Sequence, residues 1–208
     1  MSSSIPQIDF SPFLEGRETG KKQVASQIGK ACREIGFFTL TDHGVSLELI
    51  QRVFDANREF HQQPLEEKEE ILISLSEHHR GYHPFSAEAT DPNAKPDLKE
   101  AFDMALELPL DDPDVKAGKP FHGPNVWPRN PPQFRKTLEE YYQALLLLGE
   151  QICRCFALDL GLDEDYFVDK HSKPLAQLRL LHYPELDMSH HPDQQGACLL
   201  YTSDAADD

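Results

Sequence analysis

The feature that most constrains the fold is one long amphipathic helix in the C-terminal third of the sequence. The periodicity predicts a helix over residues 133–160, ended by Gly161. Seven apolar residues share one face of it, namely Phe134, Leu138, Tyr141, Leu145, Leu148, Ile152 and Phe156. Such a face needs a partner surface, because contiguous exposed apolar patches favour aggregation. With 208 residues the chain is long enough to bury a sizeable core.

The elements before and after this helix predict an α+β fold. Alternation predicts an edge strand over 5–10, and a short apolar run before turn residues predicts a buried strand over 37–40. Helical spacing predicts helices ending at Gly36 and over 46–61. Ser46 is the expected N-cap, and Pro64 is expected to open a short helix. Residues 74–130 show one clear strand, 101–106, and a last strand is expected over 175–183. A sheet that begins so late predicts further strands beyond it.

Composition excludes several classes of protein. Hydrophobic residues make up 39% and charged residues 27% of the chain, which is ordinary for a globular domain. The formal charge of −16 argues against nucleic acid or an anionic membrane as a partner. No apolar run reaches the roughly 18 residues of a transmembrane helix, and no secretory signal is visible. The four cysteines match no zinc or disulfide pattern, so we expect a cytoplasmic protein.

The histidines offer no convincing metal site. His191-Pro192-Asp193 has the H-x-D spacing of a facial triad, but no histidine follows it, so a polar loop is the preferred interpretation. His78, His79 and His83 lie close together without an acidic or cysteine partner at motif spacing. His43 is expected to satisfy backbone groups in a turn. The sequence therefore predicts no metal ligand and no catalytic residue.

Six motifs follow each other in a distinctive order, although each alone indicates little about the chemistry of the protein. They are Ile5-Pro-Gln-Ile-Asp-Phe10, Gly36-Phe-Phe-Thr-Leu-Thr-Asp-His-Gly-Val45, Arg80-Gly81-Tyr82, Lys99-Glu-Ala-Phe-Asp103, Gly123-Pro-Asn-Val-Trp-Pro128 and Leu178-Arg-Leu-Leu-His-Tyr-Pro184. The series resembles the isopenicillin N synthase-like family of iron(II)/2-oxoglutarate-dependent oxygenases over residues 5–197. The resemblance implies a mostly helical N-terminal region over 1–130. Residues 131–197 would then hold the long helix and the first strands of an incomplete double-stranded β-helix (jelly-roll) core.

The resemblance also implies a chemistry. The full-length parent would use Fe(II), 2-oxoglutarate and dioxygen to hydroxylate, desaturate or cyclise a small organic substrate. Tyr183 matches a family tyrosine that points into the 2-oxoglutarate pocket, where a phenol can donate to a carboxylate; the alternative is a half-buried strand aromatic. Arg179 has the same strand parity as Tyr183. It would either support the anionic ligand or pair with an acidic neighbour, and the second is the simpler expectation.

The sequence departs from the family pattern after Gly196-Ala197. The iron-binding His-x-Asp motif is expected there, but the chain continues as Cys198-Leu-Leu-Tyr-Thr-Ser-Asp-Ala-Ala-Asp-Asp208. Residues 198–208 resemble the translation of a sequencing-library adapter, although an acidic natural tail would also fit. We therefore expect a catalytically incomplete oxygenase fragment that binds no cofactor by itself. A non-catalytic helical binding module is the alternative.

Overall fold

The computed structural model describes residues 4–88 and 95–185. The elements are β1 (Gln7–Asp9), α1 (Ser11–Leu14), α2 (Glu18–Glu34), β2 (Thr39–Thr41), α3 (Leu47–His61), α4 (Leu65–Glu69), β3 (Gly81–His83), β4 (Glu100–Ala105), α5 (Pro113–Lys116), α6 (Phe134–Asp159) and β5 (Gln177–His182). Short 3-10 turns lie at Ile73–Leu75 and Val168–His171. The predicted mixture of helices and strands is confirmed. The His191-Pro192-Asp193 pair and the tail over 198–208 lie outside the described residues.

Contacts divide the chain into two units. One comprises Met1–Gln51 and Glu139–Pro174, and the other comprises Arg52–Leu138 and Leu175–Asp208. The proposed division into 1–130, 131–197 and 198–208 follows the family pattern and stays a prediction.

The first unit is built around α2 and a small parallel sheet of β1 and β2, in which Ile8 pairs with Leu40. Its buried core consists of Ile8, Phe10, Phe13, Val24, Ala25, Ile28, Ala31 and Cys155. Helix α2 ends as predicted, because Gly36 adopts φ +85° and its N–H donates to the carbonyl of Ala31. His43 also behaves as predicted: its Nδ1 accepts from the N–H of Val45 at 3.2 Å.

The long helix is confirmed almost to the residue. It runs from Phe134 to Asp159, and Gly161 follows it with φ +70°. Cys155 is fully buried, and burial raises the pKa of its thiol to about 12. The pKa of Cys153 is also raised, chiefly by burial. Both thiols are therefore poor nucleophiles, as expected for residues that pack in a helix.

The second unit is built around the antiparallel sheet β3-β4-β5, with β4 in the centre. Every residue of β4 is buried. Behind one face of the sheet lies an aromatic cluster of Phe60, Phe102 and Phe134, with ring centroids 4.8 to 5.3 Å apart. Offset and edge-to-face packing of this kind stabilises beyond area burial alone. The cluster joins α3 and the first turn of α6 to the sheet.

Two local predictions were wrong and one strand was missed. The strand expected over 37–40 begins at Thr39, and Phe37 is 51% exposed. The helix over 46–61 was expected to place Leu49, Val53, Phe54 and Phe60 on one apolar face, but Phe54 is 60% exposed. Strand β3 was not expected, because three residues between turns show too little alternation to stand out.

Candidate functional site

Strand pairing sorts the side chains of the β3-β4-β5 sheet onto two faces. Asp103 lies opposite Arg179, and Glu100 lies opposite His182. Because side chains alternate along a strand, these two pairs point to opposite sides. We call the side with His83, Asp103 and Arg179 the polar face, and the side with Tyr82, Glu100, Phe102, Leu180 and His182 the aromatic face.

Arg179 on the polar face is bound to acidic neighbours. Its Nε donates to Oδ1 of Asp103 at 2.8 Å and its Nη2 to Oδ2 at 2.7 Å, a bidentate pair. Burial acts to raise the pKa of Asp103, but hydrogen bonds from His83 and Arg179 outweigh it and hold the pKa below its usual value. The expectation that Arg179 pairs with an acidic neighbour is confirmed. Its role in a cofactor pocket stays a prediction.

Glu88 completes the polar cluster from the segment that follows β3. Its carboxylate lies 2.9 Å from Nη1 of Arg179 and 3.1 Å from Nδ1 of His83. The other ring nitrogen of His83, Nε2, lies 2.7 Å from Oδ2 of Asp103. Glu88 and His83 were not predicted as site residues, because they contact Asp103 and Arg179, which come from later strands.

Strand β5 ends at His182, one residue before the predicted strand end. Tyr183 follows it directly and is half-buried. The neighbouring cation is Lys99, whose Nζ lies 3.0 Å from Oδ2 of Asp97. Burial acts to lower the pKa of Lys99, but the hydrogen bond and charge of Asp97 outweigh it and the pKa is raised. The charge of Glu88 acts in the same direction. Because Glu100 pairs with His182, Lys99 and Tyr183 lie next to that pair at the same end of the sheet, which therefore offers a phenol donor and a cation.

The aromatic face holds a second, buried ionic network that sequence analysis missed. Glu100 accepts from Nζ of Lys68 at 2.8 Å and from the hydroxyl of Tyr82, and it lies 2.8 Å from Nδ1 of His182. Burial acts to raise the pKa of Glu100, but these hydrogen bonds outweigh it and the pKa is lowered. The one available signal was Asp103 in the strand predicted over 101–106, with Glu100 directly before it, since carboxylates in a buried strand need partners.

His61 next to this network is a buried neutral imidazole. Its Nδ1 lies 2.9 Å from the backbone oxygen of Asn57, and among the described residues its Nε2 has no hydrogen-bond partner. Burial is the main cause that lowers its pKa to about 4. Protonation at mildly acidic pH would therefore place an unsolvated charge in the core.

We expect the stability of the protein to fall as pH drops from 6.5 towards 4. The pKa of His61 is depressed on folding, so the unfolded chain binds its proton first and gains stability relative to the folded state. A shift from 6.5 to about 4 corresponds to about 3 kcal/mol. Urea unfolding between pH 7 and 4.5 should show a smaller loss for His61→Phe than for the wild type. The exposed His171→Asn serves as control. If the free energy of unfolding of His61→Phe falls with decreasing pH as steeply as that of the wild type, the assignment is contradicted.

The three clustered histidines do not form a metal site. His83 faces Asp103 and Glu88, and the ring of His79 packs against Phe121. Within residues 4–88 and 95–185, no three His, Cys, Asp or Glu side chains are grouped so that they could hold a metal ion. The same residues include no helix long and apolar enough to cross a membrane.

Comparison with known proteins identifies the family. The profile described as "non-haem dioxygenase in morphine synthesis N-terminal" matches residues 5–130. The 2-oxoglutarate-Fe(II) type oxidoreductase hxnY of Emericella nidulans is 35% identical over 182 residues, which cover 86% of this chain and 52% of hxnY. The chain belongs to the 2-oxoglutarate–iron(II) oxygenases, within the isopenicillin N synthase-like superfamily. It spans about half the length of the curated relatives that it matches.

Solved structures agree with the sequence relatives. A full-length Neurospora crassa protein in complex with alpha-KG and thymine superimposes with a TM-score of 0.73 at 30% identity, over 91% of this chain and 59% of its own. A putative 2OG-Fe(II) oxygenase family protein from Caulobacter crescentus gives a TM-score of 0.74 at 28% identity, over 89% and 58%. These matches favour an oxygenase over the alternative of a helical binding module.

Proposed function

We propose that the chain is the N-terminal part of an enzyme that oxidises a small organic molecule with dioxygen, Fe(II) and 2-oxoglutarate. The observation that carries this proposal is the polar face of the sheet, whose end holds Lys99 and Tyr183 next to the Glu100–His182 strand pair. In an oxygenase of this family, bound iron(II) would activate dioxygen, which is the oxidant for hydroxylation, desaturation or ring closure, and 2-oxoglutarate would supply two of the electrons. The part of the chain that the structure describes offers no three-ligand iron site, so no step is assigned to it.

Two residues are proposed for the 2-oxoglutarate pocket. The phenol of Tyr183 would donate a hydrogen bond to a carboxylate of 2-oxoglutarate, which a half-buried hydroxyl can do at little desolvation cost. Arg179 would act mainly through its charge, since its guanidinium already binds Asp103 and Glu88. The fragment by itself is proposed to be catalytically incomplete and to bind neither cofactor tightly.

A hybrid enzyme tests the proposed function. Residues 1–197 would be joined to the C-terminal part of hxnY, beginning at the iron-binding His-x-Asp motif that the family pattern implies. The hybrid is expected to fold and to consume 2-oxoglutarate in an iron-dependent way, even without its true substrate. A folded, iron-loaded hybrid that leaves 2-oxoglutarate untouched would contradict the proposal and favour the binding module.

In the same hybrid, Tyr183→Phe is expected to raise the KM for 2-oxoglutarate about fivefold. This corresponds to about 1 kcal/mol, the usual net value of one hydrogen bond, and the effect would be larger for a charged acceptor. Tyr166→Phe is the matched control, because Tyr166 lies in the other unit and is 45% exposed. An unchanged KM in folded Tyr183→Phe would remove Tyr183 from the pocket, and loss of folding would make it a core residue.

A further inference from the structure

Three basic side chains surround the Glu88 carboxylate at the polar face. The guanidinium of Arg179 donates from Nη1 to Oε2 at 2.9 Å and from Nη2 to Oε1 at 3.3 Å. Nδ1 of His83 lies 3.1 Å from Oε1, and Nζ of Lys99 lies 3.6 Å from Oε2. We call this arrangement the Glu88 site. Its geometry is that of a bidentate arginine–carboxylate recognition site with a second cation beside it.

The Glu88 site is open to solvent, whereas the Lys68–Glu100 ion pair on the aromatic face is buried. The side chains of Arg179 and Glu88 are 34% and 32% exposed, whereas those of Lys68 and Glu100 are each 8% exposed. Glu88 also lies outside the strands, and its backbone is held separately by the N–H of Asp97, which donates to its carbonyl at 2.7 Å. The Glu88 side chain can therefore rotate away without breaking the sheet.

The cations keep a partner when Glu88 leaves. Arg179 retains its bidentate pair with Asp103, and Lys99 retains Asp97. The groups that lose their acceptor are those that faced Glu88, chiefly Nη1 of Arg179. A ligand carboxylate placed there would replace one negative charge by another, so the local charge balance is unchanged.

We propose that the Glu88 site binds the carboxylate of a small organic acid. This ligand displaces the side chain of Glu88, which occupies the site in its absence. The inference rests on the proposed function and names its substrate class: a molecule that carries a carboxylate, bound at the polar face near Tyr183. A carboxylate on the same chain competes at an effective concentration in the millimolar range. Free carboxylates therefore bind the wild type weakly, and removal of Glu88 uncovers the site.

The test measures binding to the full 208-residue chain without metal, by NMR titration with benzoate and with 2-oxoglutarate. Glu88→Ala is expected to bind benzoate at least about tenfold more tightly than the wild type, since it loses the internal competitor. Glu15→Ala is the matched control, because it removes the same charge from an exposed position whose ion pair with Arg17 is long, at 3.9 Å. Adding Arg179→Lys to Glu88→Ala keeps the charge but removes the fork, and should abolish the gain.

Each outcome decides the proposal. No gain in Glu88→Ala, or an equal gain in Glu15→Ala, would overturn it. If 2-oxoglutarate binds Glu88→Ala much more tightly than benzoate and Tyr183→Phe removes the difference, the site belongs to the cosubstrate, and the assignment to a substrate acid is overturned. If Glu88→Ala does not fold, Glu88→Gln replaces it, since an amide forms no ion pair with Arg179. Because no iron or turnover is involved, these results are independent of the hybrid experiment.

Discussion

Replacing Glu100 with alanine is expected to destabilise the protein by about 3–5 kcal/mol, the usual cost of leaving one member of a buried ion pair without its partner. Lys68, whose side chain is 8% exposed, would lose its carboxylate, and the buried hydroxyl of Tyr82 would lose its acceptor. His182, at the end of β5, would lose its link to β4. The measurement is the free energy of unfolding in urea at pH 7.

Two further variants make the Glu100 result specific. Glu100→Gln keeps the shape and one acceptor oxygen, so its loss should be smaller but still clear. Glu15→Ala removes the same charge from an exposed position and should change stability by less than about 0.5 kcal/mol. A loss below about 1 kcal/mol in Glu100→Ala would mean that water reaches the vacated site and solvates Lys68.

Gly81→Ala is expected to cost about 2–4 kcal/mol through backbone strain and a displaced neighbour. Gly81 begins β3 with φ +116°, a conformation that residues with a side chain rarely adopt. A Cβ there would lie 2.3 Å from the carbonyl oxygen of Ile71. That oxygen accepts from the N–H of Tyr82 at 2.8 Å, so moving it would break the link between β3 and the preceding segment.

Gly149→Ala is the matched control for this prediction, with the opposite sign. Gly149 lies inside α6, has no left-handed φ, and nothing lies within 4 Å of a Cβ placed on it. Alanine should stabilise the helix there by about 0.5–1 kcal/mol. Thermal unfolding of both variants tests the pair. A Gly81→Ala variant as stable as the wild type would show that the loop around Ile71 shifts freely.

The 26-residue long helix was predictable because seven apolar residues repeat at helical spacing from Phe134 to Phe156, and Gly161 marks its end. Strand β4 was found within one residue for a similar reason, since residues 101–106 form a short, mostly apolar run. Strand β3 was not found, because a strand of three residues depends on its pairing with β4 rather than on its own pattern. Local periodicity thus accounts for the elements that are long enough to show it.

The candidate site was predictable only in part. Tyr183 was identified by resemblance and Arg179 by its strand parity with Tyr183, and the preference of Arg179 for an acidic partner was correct. Its actual partners, Asp103 and Glu88, lie 76 and 91 residues away, a distance at which sequence spacing carries no information about contact. Asp103 lay in the predicted strand and Glu100 directly before it, but the sequence did not show which side chains would meet them on each face.

The two carboxylates of β4 also favour the native register between β4 and β5 during folding. A slip of one residue relative to β5 would turn Glu100 away from Lys68 and bring Asp103 among the rings of Phe60 and Phe134. Asp103 would then be an uncompensated negative charge among these rings, whereas a wholly apolar strand would tolerate the slip. The central strand therefore discriminates between registers by penalising the wrong one, and the native alignment of β5, which positions Tyr183, is selected before any ligand binds.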